Sequence, residues 1–186
     1  MKVILIPGTW ANTGRDAPQD DWWKIGSPFA SALAAHGFEP LSFAWNPALD
    51  GVLGPNADWM KAADKLWAQS RNLQPVNLIA HSHGGQLPFY ASARHGLNVR
   101  CLVTMATPVR ADVPYSSART KIQRWIHIFG GVRDYTQILG SLAFFRFNVL
   151  RRRMKFADHN IKIPESGHDD LHTAETWSKY NLWEKV

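Results

Sequence analysis

The chain has 186 residues, of which 45% are hydrophobic: enough for one well-buried core and short for two. It holds no run of about 18 apolar residues and enters a strand pattern directly at its N-terminus, so a membrane-spanning class is excluded and a soluble, cytoplasmic protein is expected. A formal charge of +6 is modest for this size and no nucleic-acid-binding module accompanies it, while the single cysteine, Cys101, excludes an internal disulfide and reads as a buried small hydrophobe.

In chain order, Lys2 to Ile6 is the first strand, followed by a long connection from Pro7 to Ile25. Pro28 to His36 reads as a helix that Gly37 stops, and Leu41 to Trp45 as a short strand. Trp59, Met60, Ala63, Leu66 and Trp67 recur at helical spacing and form a core-facing stripe. Val76 to Ala80 is the next strand. The helix after it spans Gly84 to His95, with Pro88 predicting a late start or a kink near Leu87 and Gly96 ending it. Val99 to Met105 and Trp125 to Phe129 are strands, separated by the turn Ala106-Thr107-Pro108 and a polar segment with a short helical stretch. Tyr135 to Met154 reads as helical, and residues 135–160 as a partial cap or insertion carrying Phe144, Phe145 and Phe147. Within it Arg146, Arg151, Arg152, Arg153 and Lys155 read first as a solvated face, and second as a surface for transient contact with an anionic membrane. Ile161 to Ile163 is the last strand and Asp170 to Glu184 the last helix. Strands alternating with helices imply one domain over 1–186: a doubly wound, mostly parallel sheet of six strands with helices on both faces. Ligands of such sheets bind at the carboxyl ends of the strands.

Ala80-His81-Ser82-His83-Gly84 joins a strand pattern to a helix pattern, and it reads as a nucleophile elbow. A serine on such a turn projects its Oγ above the sheet edge, and the crowding demands small residues two places to either side. Ala80 and Gly84 fill those places, and Gly85 adds room for helix–strand packing. A serine hydroxyl is a poor nucleophile near neutral pH, so it needs a base and a group that orients the base. Asp134 follows the strand Trp125 to Phe129, and His168 follows the strand Ile161 to Ile163, giving the chain order Ser82, Asp134, His168.

That order and those strand-end positions resemble the α/β-hydrolase superfamily, in particular its small lipases and esterases, over nearly the whole chain. Ile6-Pro7-Gly8-Thr9-Trp10, Ala80-His81-Ser82-His83-Gly84-Gly85, Ala106-Thr107-Pro108 and Gly167-His168-Asp169-Asp170-Leu171 carry the resemblance. It implies an oxyanion hole made by the backbone N–H of Thr9, with Trp10 as the second choice, and by that of His83 after the nucleophile. Pro7 stands where the family has a histidine, and two leading strands of larger members are missing, as in a minimal core.

Rivals exist for two of the roles: His172 for the base, and Asp112 or Asp158 for the acid. A metal reading of His81, His83, Asp134 and the run His168 to His172 lacks the helical two-histidine pair with a glutamate base, so neither metal nor cofactor is expected. Trp10, Trp22 and Trp23 are loop aromatics suited to an apolar substrate, with burial in the core as the alternative. The expected activity is cleavage of a small-molecule ester or lipid through an acyl-enzyme. Acyl transfer, thioester cleavage and a catalytically idle binding protein are the alternatives.

Overall fold

The computed structural model describes residues 1–8, 21–45, 57–134 and 152–186. Six strands form one sheet: β1 (Lys2–Ile6), β2 (Glu39–Ser42), β3 (Val76–His81), β4 (Val99–Met105), β5 (Ile122–Gly130) and β6 (His159–Ile163). Their order is β2-β1-β3-β4-β5-β6 and every pairing is parallel. All six residues of β3 are buried, as expected for a central parallel strand covered on both faces. The chain leaves β1 toward β2 and returns on its other side at β3, so the crevice where ligands settle in such sheets lies between the ends of β1 and β3.

Helices α1 (Pro28–Ala35), α2 (Ala57–Ser70), α3 (Leu87–His95), α4 (Tyr115–Arg119) and α5 (Ala174–Lys179) accompany the sheet. The hydroxyl of Ser27 accepts from the Ala30 N–H and caps α1, with Pro28 at its first turn. Pro88 stands in the first turn of α3, where its missing N–H has no intrahelical partner to lose, and this helix therefore begins at Leu87 rather than Gly84. Residues Ser82–Gln86 form a 3-10 turn ahead of it.

Two apolar clusters divide between the faces of the sheet. One gathers Trp59, Leu66, Phe89 and Trp125 with residues of α2, α3 and α4. The other gathers Phe29, Leu33, Leu171, Trp177 and Trp183 with residues of α1 and α5. Trp22 and Trp23 belong to this second cluster, at 5% and 4% exposure, and so are core side chains rather than open loop rings. Cys101 is buried.

Three further sequence expectations change. The last helix is broken into a 3-10 turn at Asp170–His172, α5, and a second 3-10 turn at Trp183–Lys185, with Asn181 in a left-handed conformation between them. Residues 152–154 are not helical: Asn160 brackets Met154 by accepting from its N–H and donating to its carbonyl, which buries the methionine. The remainder of the expected helix, with Phe144, Phe145, Phe147, Arg146 and Arg151, lies outside the described residues. Arg152 is not a solvated cation: its guanidinium donates to the carbonyls of Gly130 and Gly131. Among the described residues no helix is long and apolar enough to cross a membrane.

Candidate active site

Ser82 stands at the end of β3 with φ +52°, a left-handed conformation that a residue with a Cβ adopts only under constraint. The constraint is visible around it. A Cβ on Gly84 would run into the Pro7 carbonyl, and one on Gly8 would stand 2.8 Å from the Ser82 Cβ. The chain leaving β1 is thus pressed directly onto the elbow, and the Trp45 indole N–H holds it there by donating to the Pro7 carbonyl at 2.8 Å. A Cβ on Gly85 would meet the Thr107 side chain, so this glycine admits the loop after β4, whose Ala106 is also left-handed at φ +48°.

The loops after β5 and β6 bring the acid and the base together. His168 Nδ1 donates to Asp134 Oδ1 at 2.9 Å, with the carboxylate fully buried and the imidazole 11% exposed. A carboxylate only accepts, so this bond puts the neutral ring's proton on Nδ1 and leaves Nε2 free to take another. Glycine again makes the approach feasible. A Cβ on Gly131 would strike the Pro164 carbonyl, and one on Gly130 would stand 2.6 Å from the Ser166 carbonyl. The Gly131 N–H donates to that same Ser166 carbonyl at 3.2 Å.

His81 ties this loop to the elbow. Its Nε2 donates to the His168 carbonyl at 3.1 Å, and the two rings lie 4.6 Å apart between centroids. Burial, reinforced by His172 and His168, holds the His81 imidazole well below its ordinary range, so it serves as a neutral donor. From sequence His81 stands only as a metal ligand, and its place beside the serine is the signal for this tethering role. Among the described residues no hydrogen bond joins Ser82 Oγ to His168, whose ring reaches the elbow through His81. The half-buried imidazole of His83 is held down to about 4, chiefly by burial and then by Arg110 and His168.

The rivals are engaged elsewhere. Asp112 receives a two-pronged contact from Arg110, at 3.0 Å from Nε and 2.8 Å from Nη2. Asp158 accepts from Arg119 at 2.6 Å and from the Trp125 N–H at 2.7 Å. His172, expected on a helix surface, is 3% exposed and stacks on Trp22. Thr9 and Trp10 lie outside the described residues.

No family model matches the chain, and no curated protein matches it in sequence. It is similar in structure to a methylesterase from Arabidopsis, with TM-score 0.58 and 12% identity over 100% of this chain and 98% of that one. It is similar also to a monoacylglycerol lipase from Paleococcus ferrophilus, with TM-score 0.58 and 12% identity over 99% and 93% of the two chains. A serine hydrolase without lid from Xanthomonas campestris gives TM-score 0.55 and 17% identity over 98% and 82%. The chain has the α/β-hydrolase fold.

Proposed function

We propose that this protein hydrolyses carboxylic esters through a serine acyl-enzyme, with Ser82 as nucleophile, His168 as base and Asp134 as the group that orients it. The observation that carries the reading is the buried Asp134–His168 pair at the same sheet edge as a serine held in a left-handed elbow. Ser82 Oγ attacks the ester carbonyl while His168 Nε2 accepts its proton. The imidazolium that forms is stabilised by the buried carboxylate. The backbone N–H of His83, with that of Thr9, stabilises the oxyanion; one such donor is worth about 2.7–4 kcal/mol. Collapse of the tetrahedral intermediate expels the alcohol, which takes the proton back from His168. Water, deprotonated by the same imidazole, then releases the acid.

The Ser82–His168 bond belongs to the substrate complex, since catalytic hydrogen bonds are often long before substrate binds. Because Trp22 and Trp23 are core residues, the acyl group meets neither ring in the open, and Trp10 remains the aromatic candidate for contacting it. Incubation with a fluorophosphonate probe tests the reading: one adduct, mapped to Ser82 by peptide mass, is the expected result. A p-nitrophenyl ester series from acetate to palmitate, run beside thioester and amide substrates, defines the acyl preference. An unlabelled Ser82 together with no turnover of any ester would overturn the proposal.

A further inference from the structure

A second cluster of chemically capable side chains adjoins the triad without sharing a residue with it. His81, Asp169 and His172 each offer one donor atom, and these three atoms all lie within 4.8 Å of one another. The two imidazoles are 5% and 3% exposed and meet edge to face with centroids 4.6 Å apart. Asp169 closes the group from the solvent side, with its side chain 60% exposed and its Oδ1 3.7 Å from His172 Nε2. Trp22 forms one wall, stacked on His172 at 5.4 Å and edge-on to His81 at 6.3 Å. Two buried imidazoles and one carboxylate on an apolar wall form a donor set suited to zinc and its neighbours in the first transition row.

We propose that His81, Asp169 and His172 bind one divalent transition-metal ion of the zinc class. Ligand atoms on a tetrahedral zinc with bonds of about 2.1 Å stand about 3.4 Å apart, so the widest pair closes by at most about 1.4 Å. The exposed Asp169 supplies that movement by turning its carboxylate inward. Three protein donors leave a fourth position for water. The ion would join the end of β3, the residue after His168 and the 3-10 turn beyond it, and so clamp the base-bearing loop to the elbow. It takes no part in the serine chemistry, because Ser82, Asp134 and His168 are not among its ligands.

The test needs no substrate, so its failure is separate from any failure of the esterase reading. Chelator-treated protein is titrated with Zn²⁺ by calorimetry, and melting is followed with and without the ion. Wild type should bind one ion per chain and melt at higher temperature in its presence. Asp169→Asn and His172→Gln should each weaken binding at least about tenfold and abolish the melting shift. His159→Gln, at the exposed start of β6, should bind as wild type does. If the buried His172 variant does not fold, the exposed Asp169→Asn decides alone. Absence of saturable one-to-one binding in wild type, or binding that Asp169→Asn leaves intact, overturns the proposal.

Discussion

The elbow and the base-bearing loop meet at one edge of the sheet but are held there by different means. Ser82 sits on a turn of consecutive residues, from the all-buried β3 through a left-handed serine to a 3-10 turn leading into α3, with the Pro7–Gly8 and Thr107 segments packed onto it. His168 owes its position to two distant segments: the loop after β5, whose Asp134 carboxylate accepts from its ring and whose Gly131 and Gly130 admit the Pro164 and Ser166 carbonyls of its own loop, and the His81 ring at the end of β3. A loop held by two other segments transmits any change in them to the imidazole.

The largest expected effect falls on the chemistry of the elbow alone. Ser82→Ala should lower kcat on esters about 10⁶-fold, because members of a catalytic set act as a unit, while thermal melting stays near wild type. Retained turnover would remove the serine from the mechanism. Next comes the loop's acid. Asp134→Asn should lower kcat about 10⁴-fold, since an amide can leave the imidazole in the wrong tautomer. Asp112→Asn, whose carboxylate faces Arg110, should keep turnover within an order of magnitude. A reversal of those two results would move the acid's role.

Stability then separates the loop's scaffold from its chemistry. Gly131→Ala should cost about 3 kcal/mol, measured by chemical denaturation, because the new Cβ can be accommodated only by moving the Pro164 backbone. Activity should fall with it as the His168 loop shifts. An alanine tolerated in both assays would show that the two loops are not so tightly opposed.

The smallest effect is a pH dependence away from the site. His127 is wholly buried on β5; its Nε2 donates to the Arg152 carbonyl and its Nδ1 accepts from the Thr104 hydroxyl, which in turn accepts from the Trp125 indole. Burial holds this imidazole down to about 4. Below its ordinary range near 6.5 the unfolded chain binds a proton that the folded protein refuses until about 4, so this residue makes stability fall as pH falls across that window. From pH 7 to pH 5 the loss is about 2 kcal/mol. His127→Gln should be less stable than wild type at pH 7 yet lose less on acidification, as denaturant melts at the two pH values would reveal. Equal slopes would dismiss the buried histidine as a cause.

The same contrast governs what was legible beforehand. All six strands were visible as apolar runs, and the elbow as a serine between small residues, because both patterns are written in adjacent positions. Strand β2 was read two residues late, since Phe43 and Trp45 are buried beyond its end and prolong the apolar pattern. Asp134 and Asp112 each follow a strand, and what separates them, the bond from His168 to Asp134 while Arg110 occupies Asp112, is a set of pairings no spacing rule encodes. His172, polar by sequence, and Trp22, borne by a loop, are buried by tertiary packing: they stack ring upon ring, and Trp22 also meets Phe29.

By itself the sequence determined the alternation of strands and helices, the late start of α3 at its proline and the turn that carries Ser82, since hydrophobic period and backbone restriction act over a few residues. Only the tertiary structure decided which carboxylate meets His168, that His81 fastens the His168 loop, and that Trp22, His81, Asp169 and His172 share one corner. Those outcomes depend on how parallel strands far apart in the chain align their carboxyl ends, and on glycines whose missing Cβ atoms let separate backbones touch.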